Sequence, residues 1–571
     1  MNLNHHYDLA VIGAGPAGMA AAIEASRNNM KVLVLDDQTA AGGQVYRQID
    51  RNYHKNEKLF FLGEDYWLGK KLVEDFKHSS AEFFPESRVW QITQDKLIFF
   101  SLKGRSYQVQ ANFILISTGA TERPMPIPGW TLPGVMSVGG AQTLLKSNNS
   151  GADGAVFAGS GPLFYLTIWQ YLNAGFKVGA VIDTAPGRLS WSHYLWALPA
   201  LLQFNLLLKG LRWKSHIRKN TKYFSEVRSV SISGQSAAKS VSFIDKYGEK
   251  KKLYASHVFL HQGVVPNVNL TMATGLKHYW CPRQLCWHPE TNIYGESSLE
   301  GIFVAGDGSG IAGASAAILA GKTAAKHIVQ YSRRPSIFIT WLSKLKRYKH
   351  VAARPFLDNL FRPPKEWRVP LEDETIVCRC EALKKADISS AISLGVTGPN
   401  QLKSFCRAGM GRCQGRMCGL TIQQMIADKN NLIEPEVPKK TSQWLSRFKQ
   451  PVILISSLDD KNQATLVALG NNEEKLTWVS SDGISLTFDQ GVLIATRGYS
   501  QDLISLKYLN ATNLFKSKNI KYKKVHRYLT GDNKYKDVDF QCLGKRGRSK
   551  PVMILEYKIN MDKFVEECVN G

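Results

Sequence analysis

The sequence predicts an α/β protein: two Rossmann-like dinucleotide-binding units on parallel strands, then a small helical domain, then a β-rich C-terminal domain. Three stretches carry that expectation. Tyr7 to Gly18 (YDLAVIGAGPAG) and Gly154 to Gly161 (GAVFAGSG) are each an apolar strand running into glycines, and Cys378 to Cys418 holds two close cysteine pairs around a helical stretch. A length of 571 residues allows several domains of the usual ~100–200 residues.

In the first unit, Leu9 to Ile12 read as a buried strand and Gly13, Gly15 and Gly18 fall at GxGxxG spacing, with Pro16 and Ala17 opening a small-residue helix. Gly13 allows a tight turn, Gly15 lets the main chain touch a pyrophosphate at the helix N-terminus, and Gly18 lets the helix lie against its strand. Asp36 ends a second apolar strand, Val32 to Leu35. It stands near the ~20-residue distance at which a carboxylate accepts from a ribose hydroxyl. Gly42, Gly43 and Gln44 form a glycine loop that is either flavin-side backbone or a plain turn. Ala111 to Thr118 is another buried strand, ending in Thr118-Gly119-Ala120 and then Pro124, Pro126 and Pro128. That pattern resembles the connection by which flavoprotein disulfide-reductase-like folds leave their FAD domain. Gly301 to Ala325 supplies a further strand end, Gly306-Asp307, before a helix starting near Gly313. An aspartate there suits a flavin ribitol and the helix N-terminus suits an anionic ring edge, which favours FAD over NAD as the first cofactor.

In the second unit Gly159 and Gly161 repeat the glycine pattern, but Phe164 replaces the third glycine, and Asp183 ends the next strand. A second adenine nucleotide, NAD(P) or ATP/ADP, is one expectation, and a domain that only packs is the other. His257 to Gly263 reads as the return to the first unit. The expected divisions are residues 1–125 with 255–345 for the FAD domain and 126–254 for the insertion. The cysteine domain follows at 372–430, a linker at 431–448 and the β-rich domain at 449–571.

Of nine cysteines, Cys281 and Cys286 fall in an irregular segment and read as structural. No CxxC lies beside either glycine unit, which argues against a disulfide reductase. Cys378, Cys380, Cys413 and Cys418 form two short pairs able to converge on one metal centre. Four thiolates fit a [2Fe-2S] cluster or a structural zinc. The CxC pair is unusual for zinc fingers and a flavin in the same chain gives electrons somewhere to go, so the cluster is favoured. Arg379, Arg407, Arg412 and Arg416 offset its negative charge, while Cys406 reads as a small buried residue.

A hydrophobic content of 44% with mean hydropathy of −0.21 describes a globular chain with ample core. The net charge of +26 invites anionic partners, yet no nucleic-acid-binding motif is present and nucleic acid is not expected. The opening MNLNHHYD has no basic region leading into an apolar one, so a cytoplasmic location is expected, with peripheral association at the inner face of the membrane left open. Tyr194 to Trp213 approaches membrane-spanning length but is broken by Pro199, Gln203, Asn205 and Lys209. It reads as a buried or surface-associating helix pair.

GAGPAG, GGQVYRQ, STGATERP, LPGVMSVGGAQTLLK, HQGVVPN, VAGDGSGIAG and VCRCE with FCRAGMGRCQGRMCG occur in an order that resembles the FAD/(2Fe-2S) subunit of heteromeric amine and amino-acid dehydrogenases. The resemblance covers roughly residues 7 to 430. It implies a subunit working beside a second flavoprotein subunit that carries the amine-oxidising site. The substrate would be of opine, proline, hydroxyproline or glycine type, with electrons leaving to a quinone or similar acceptor. No side chain of this chain reads as a catalytic acid, base or nucleophile. A stand-alone NAD(P)H-dependent reductase is the alternative that the second glycine unit would allow.

Beyond Lys439, residues 451–456, 464–469, 476–479, 484–488 and 491–496 read as short strands separated by turns. The run SSDGISLTFDQGVLIATRGYSQDLIS resembles YjbF-type capsule polysaccharide lipoproteins, which implies an envelope-assembly role as a third reading and a pairing of Cys542 with Cys568. The lipobox cysteine and export signal of that family are missing.

Overall fold

The structure is a computed structural model that describes residues 6–55, 57–187, 197–331, 349–430, 432 and 435, together with eight strands between 452 and 560. It divides into an N-terminal part, Met1–Lys440, which holds both dinucleotide-type units and the cysteine domain, and a C-terminal unit, Thr441–Gly571.

The sheet of the first dinucleotide fold is ordered Glu82–Phe84, Val32–Leu35, His6–Ile12, Arg105–Ile116, Leu97–Leu102, Arg88–Ile92, with Ile302–Val304 also paired to Arg105–Ile116. The long strand Arg105–Ile116 joins the parallel and antiparallel parts of this sheet. Its second half runs parallel to His6–Ile12 and Ile302–Val304, and its first half pairs antiparallel with Leu97–Leu102. The central strands are uninterrupted apolar runs because both faces are covered. Helix Pro16–Arg27 packs on helix Ala314–Val329 across one face, where Ala17, Ala21, Ala324 and Ala325 are buried.

The second parallel sheet is ordered Tyr223–Phe224, Val178–Asp183, Ala155–Ser160, Val258–Gln262, Val135–Ser137. This corrects the expected return at His257 to Gly263. Val258–Gln262 is fully buried between Ala155–Ser160 and Val135–Ser137, so it belongs to the second unit. An apolar strand followed by glycine does not reveal which sheet receives it. The chain returns one strand later, where Val264–Pro266 pairs antiparallel with the outgoing Ala120–Glu122. Glu122 fastens this crossover: Oε2 accepts from Gly139 N at 2.8 Å and Oε1 lies 2.6 Å from His261 Nδ1.

A second correction concerns Cys281 and Cys286. The segment is a β-hairpin, His278–Cys281 with Cys286–Pro289, in which Trp280 faces Trp287 and Cys281 faces Cys286 across the strands. Aromatic cross-strand pairs stabilise so short a ribbon where alternation alone gives little signal.

Helices Lys385–Ser393, Pro399–Cys406 and Gly419–Lys429 enclose a separate small core that includes Val377, Ile388, Leu402 and Ile422. In the C-terminal unit the strands form one antiparallel sheet, ordered 492–497, 484–489, 452–458, 463–471, 553–560, 523–529, 535–537, with 475–477 on the flank of 463–471. Cys542, Cys568 and most of the 431–448 linker lie outside the described residues.

Candidate functional site

Three glycine-rich turns meet at the N-terminus of helix Pro16–Arg27. In the first, Gly13 N donates to Leu35 O and Gly42 N donates to Ala14 O, at 2.7 and 2.9 Å. Gly18 is held so close to this turn that a Cβ there would lie 1.9 Å from Gly13 O, which is why only glycine fits. In the second, a Cβ on Gly43 would come 2.8 Å from Gly15 Cα, so the two glycine backbones touch. In the third, Gly306 presses on Ala17, and Asp307 Oδ1 accepts from Ala312 N and Gly313 N at 2.9 Å each, closing the loop ahead of helix Ala314–Val329. Thr118 and Gly119 stand beside this third turn. Thr118 Oγ1 donates to Asn267 O at 3.2 Å, Asn267 N donates to Gly119 O, and Gly308 packs against Gly119.

The result is a cradle of closely packed main chain at a helix N-terminus, walled by glycines and the methyl of Ala17. That shape and its amide donors fit the pyrophosphate and ring edge of FAD.

Asp36 has work that the spacing did not reveal. Its carboxylate accepts from Ala14 N and, at 2.8 Å, from Gln38 N, so it braces the glycine turn from behind. Burial raises its pKa, against the pull of these two amides. Ser117 is a site residue that the sequence did not disclose: its Oγ lies 2.8 Å from Gly13 O and 3.0 Å from Ile12 O. Lys146 is another. Buried in the second unit's helix Val138–Asn148, it donates to Gln44 O at 3.0 Å, Val45 O at 3.1 Å and Gln142 Oε1 at 3.0 Å, holding the Gly43–Gln44 loop in place. Burial pushes its pKa down to about 7, with Arg47 adding to the effect.

The second unit is built differently. Gly159 and Gly161 occupy the strand end and the cap of helix Pro162–Asn173, both at positive φ. Phe164 is fully buried in the core shared by the two folds. Asp183, where a ribose acid is expected, already accepts from Tyr165 Oη at 2.8 Å, from Tyr223 Oη and from Ala185 N at 2.9 Å, and pairs with Lys214 Nζ at 3.2 Å. A ribose would have to displace these partners.

The four cysteines of the helical domain come together in pairs. The free thiol of Cys418 hydrogen-bonds to both Cys378 and Cys413, and Cys413 hydrogen-bonds to Cys380. Among the described residues no set of three or more side chains already stands in metal-binding array. The donor set nevertheless suits a metal that takes thiolates. Hydrogen bonding from Cys418 pulls the Cys378 thiol down to about 6 and the Cys413 thiol down to about 4, and Cys418 is pushed up in return. Main-chain amides of Gly409 and Glu381 serve Cys378, and those of Met417 and Gly415 serve Cys413. Gly411 packs on the Cys380 side chain. Sulfurs ringed by amides are the environment an iron-sulfur cluster uses. Of the expected arginines, Arg407 pairs with Glu381 at 3.2 Å and Arg379 lies over the Trp130 ring, so both also have structural roles. Cys406 is half-buried and its sulfur donates to Leu402 O, one helical turn back.

Two indole N–H groups hold this domain to the dinucleotide folds. Trp130 donates to Ile376 O and Trp287 to Gln423 Oε1, both at 2.7 Å, one near each cysteine pair. The hairpin bearing Trp287 also grips the Asp307 loop, since Gln284 Nε2 donates to Ile311 O at 3.0 Å and Ile311 N donates to Gln284 Oε1 at 3.2 Å. Within that hairpin, burial pushes the Cys286 thiol up to about 12, which suits a packing residue and not a thiolate nucleophile.

This architecture defines a flavoprotein-type oxidoreductase with an attached iron-sulfur domain. Residues 7–163 match the pyridine nucleotide-disulphide oxidoreductase family, 376–428 the BFD-like [2Fe-2S] binding domain, and 428–570 the group 4 capsule polysaccharide lipoprotein family gfcB, YjbF. An opine oxidase subunit of Rhizobium meliloti is 40% identical over 76% of this chain and 85% of its own. The hydrogen cyanide synthase subunit HcnB of Pseudomonas aeruginosa is 31% identical over 72% of this chain and 90% of its own. L-proline dehydrogenase from P. horikoshii shares the fold at a TM-score of 0.54 and 18% identity, over 76% of this chain and 78% of its own. The chain belongs to the family that contains these opine oxidase and HcnB subunits.

Proposed function

We propose that this chain is the electron-transferring subunit of a heteromeric dehydrogenase that oxidises an amine or amino acid of opine, proline, hydroxyproline or glycine type. The observation that carries it is the 40% identity to an opine oxidase subunit over a chain holding both the glycine cradle and the two cysteine pairs. A second flavoprotein subunit holds the oxidising site, and a quinone or similar acceptor takes the electrons.

FAD supplies acceptance of an electron pair and the [2Fe-2S] cluster supplies single-electron transfer. The chain's own residues position them. Gly13, Gly15, Pro16, Ala17 and Gly18 would present the helix N-terminus to the pyrophosphate, with Asp36 stiffening that turn. Gly43, Gln44, Thr118, Gly119, Gly306 and Asp307 would complete the walls that hold FAD. Cys378, Cys380, Cys413 and Cys418 ligate the iron.

The occupied Asp183 argues against NAD(P)H as the reductant at the Gly159 and Gly161 loop. Mixing purified protein with NADH in a stopped-flow instrument separates the two readings: the proposal expects the flavin absorbance to stay unchanged, and rapid bleaching would refute it. Cys413→Ser is expected to remove the iron-sulfur absorption while FAD content holds, and a variant with full iron and labile sulfide refutes the ligand assignment. The match of residues 428–570 to a capsule polysaccharide lipoprotein family favours a separate envelope-related role for the C-terminal unit.

A further inference from the structure

From residue 197 onward, the stretch that the sequence offers as a buried or surface helix pair lies on the surface. Residues 197–200 are helical, Leu201–Gln203 form a tight turn of helix, and helix Phe204–Asn220 follows. One side of that helix is anchored, with Ile217 buried and Trp213 against Trp169. Phe204 and Leu211 on its opposite side are bare, as are Leu206 in its first turn and Leu198, Leu201 and Leu202 in the residues leading into it; all six keep between 42% and 75% of their surface in solvent. Apolar side chains gathered this densely on one surface mark an interaction site.

Charge identifies the partner. From Thr184 to Asn220 the chain carries Arg188, Lys209, Arg212, Lys214, Arg218 and Lys219 and no acid at all. Residues 332–350 repeat the composition: Ile337, Phe338, Ile339, Trp341 and Leu342 with six Lys or Arg and again no acid. Gln203 ties the helix to the residues that follow this second stretch, its Nε2 donating to His350 O at 2.8 Å and its Oε1 accepting from Ala353 N at 3.1 Å. Arg212, Arg218 and Lys219 are exposed on the same helix as the bare leucines. Protein interfaces deplete lysine at their centres, whereas helices that lie on membranes combine Leu, Phe and Trp with Lys and Arg. Clusters of four to eight basic residues beside such a face are read by anionic lipid. The net charge of +26 adds long-range attraction of the same sign.

We propose that residues 198–219 dock this protein on an anionic bilayer surface, with the leucines and Phe204 in the acyl boundary and the cations at lipid phosphates. The docking is interfacial, since among the described residues no helix is long and apolar enough to cross a membrane. It goes beyond the electron-transfer reading and does not depend on it. If both hold, the surface brings the chain to an acceptor dissolved in the lipid.

The test is co-sedimentation of the full chain with phosphatidylcholine vesicles that contain or lack phosphatidylglycerol. The proposal expects binding only to the anionic vesicles, weakened by salt. Leu201→Glu/Leu202→Glu should bind at least about tenfold more weakly. Flavin and iron content equal to the parent's shows that this variant is folded. Arg212→Gln/Lys219→Gln should lose binding in part and flatten the salt dependence. A parent chain left in the supernatant overturns the proposal, as does a folded glutamate variant that binds like the parent. Loss of a co-purifying protein subunit in the glutamate variant, with no vesicle binding by the parent, also overturns it and assigns the surface to that partner.

Discussion

Lys146 is an ammonium without a carboxylate partner, enclosed by three oxygen acceptors, two of them main-chain carbonyls of the Gln44 loop. Its folded pKa, about 7, lies below the unfolded value of ~10.4. Between these values the unfolded chain binds more protons, so this group makes stability rise as pH climbs from about 7 to about 10. Lys146→Met should abolish that rise. It should also destabilise by about 1–3 kcal/mol, because three oxygens lose their donor. Thermal melts of parent and variant across the window check both. Gly18→Ala places a methyl where Gly13 O sits, and should cost about 1–3 kcal/mol by overpacking, together with most FAD retention. The ratio of flavin to protein absorbance reports it. The glycines and cysteine pairs were legible because their signal is local spacing. Lys146 was not, because Gln44 and Val45 are 102 and 101 positions away.

At the scale of elements, the hairpin His278–Pro289 connects the two cofactor-binding regions. Its turn holds the Asp307 loop through Ile311, and its second strand holds the cysteine domain through Trp287. Trp287→Phe keeps an aromatic ring against Trp280 but removes the N–H and part of a buried indole, leaving a small cavity. It should lower stability by about 1–3 kcal/mol, the lost hydrogen bond and the cavity together, and speed the loss of iron to a chelator with the flavin spectrum unchanged. Iron release at the parent's rate would leave the indole bond without a holding role. The strands at 9–12, 32–35, 111–118 and ahead of Gly306 were readable as apolar runs, whereas their order and the strands between 82 and 102 were not. The assignment of Val258–Gln262 and the hairpin were not, since both depend on which distant strand offers an edge. Tyr165 and Tyr223, which fill Asp183's oxygens, were hidden for the same reason: Tyr223 arrives from 40 positions away.

Over the whole molecule, the division at Lys440 separates the part that matches the opine oxidase family from the part that matches the capsule lipoprotein family. A chain stopped after Lys440 should keep full flavin and iron, and loss of either would tie the C-terminal unit to cofactor binding. The strands of that unit near 452, 464, 484 and 492 follow from alternation and turn residues, while 523–529 and 553–560 gave no comparable signal. The two indole clamps carry one more consequence. Trp130 and Trp287 both precede Cys378 in the chain, so the ribosome finishes the seats of the cysteine domain before it makes the first sulfur. Biogenesis can then run in one direction, with a prebuilt berth waiting for the metal-bearing domain as it emerges.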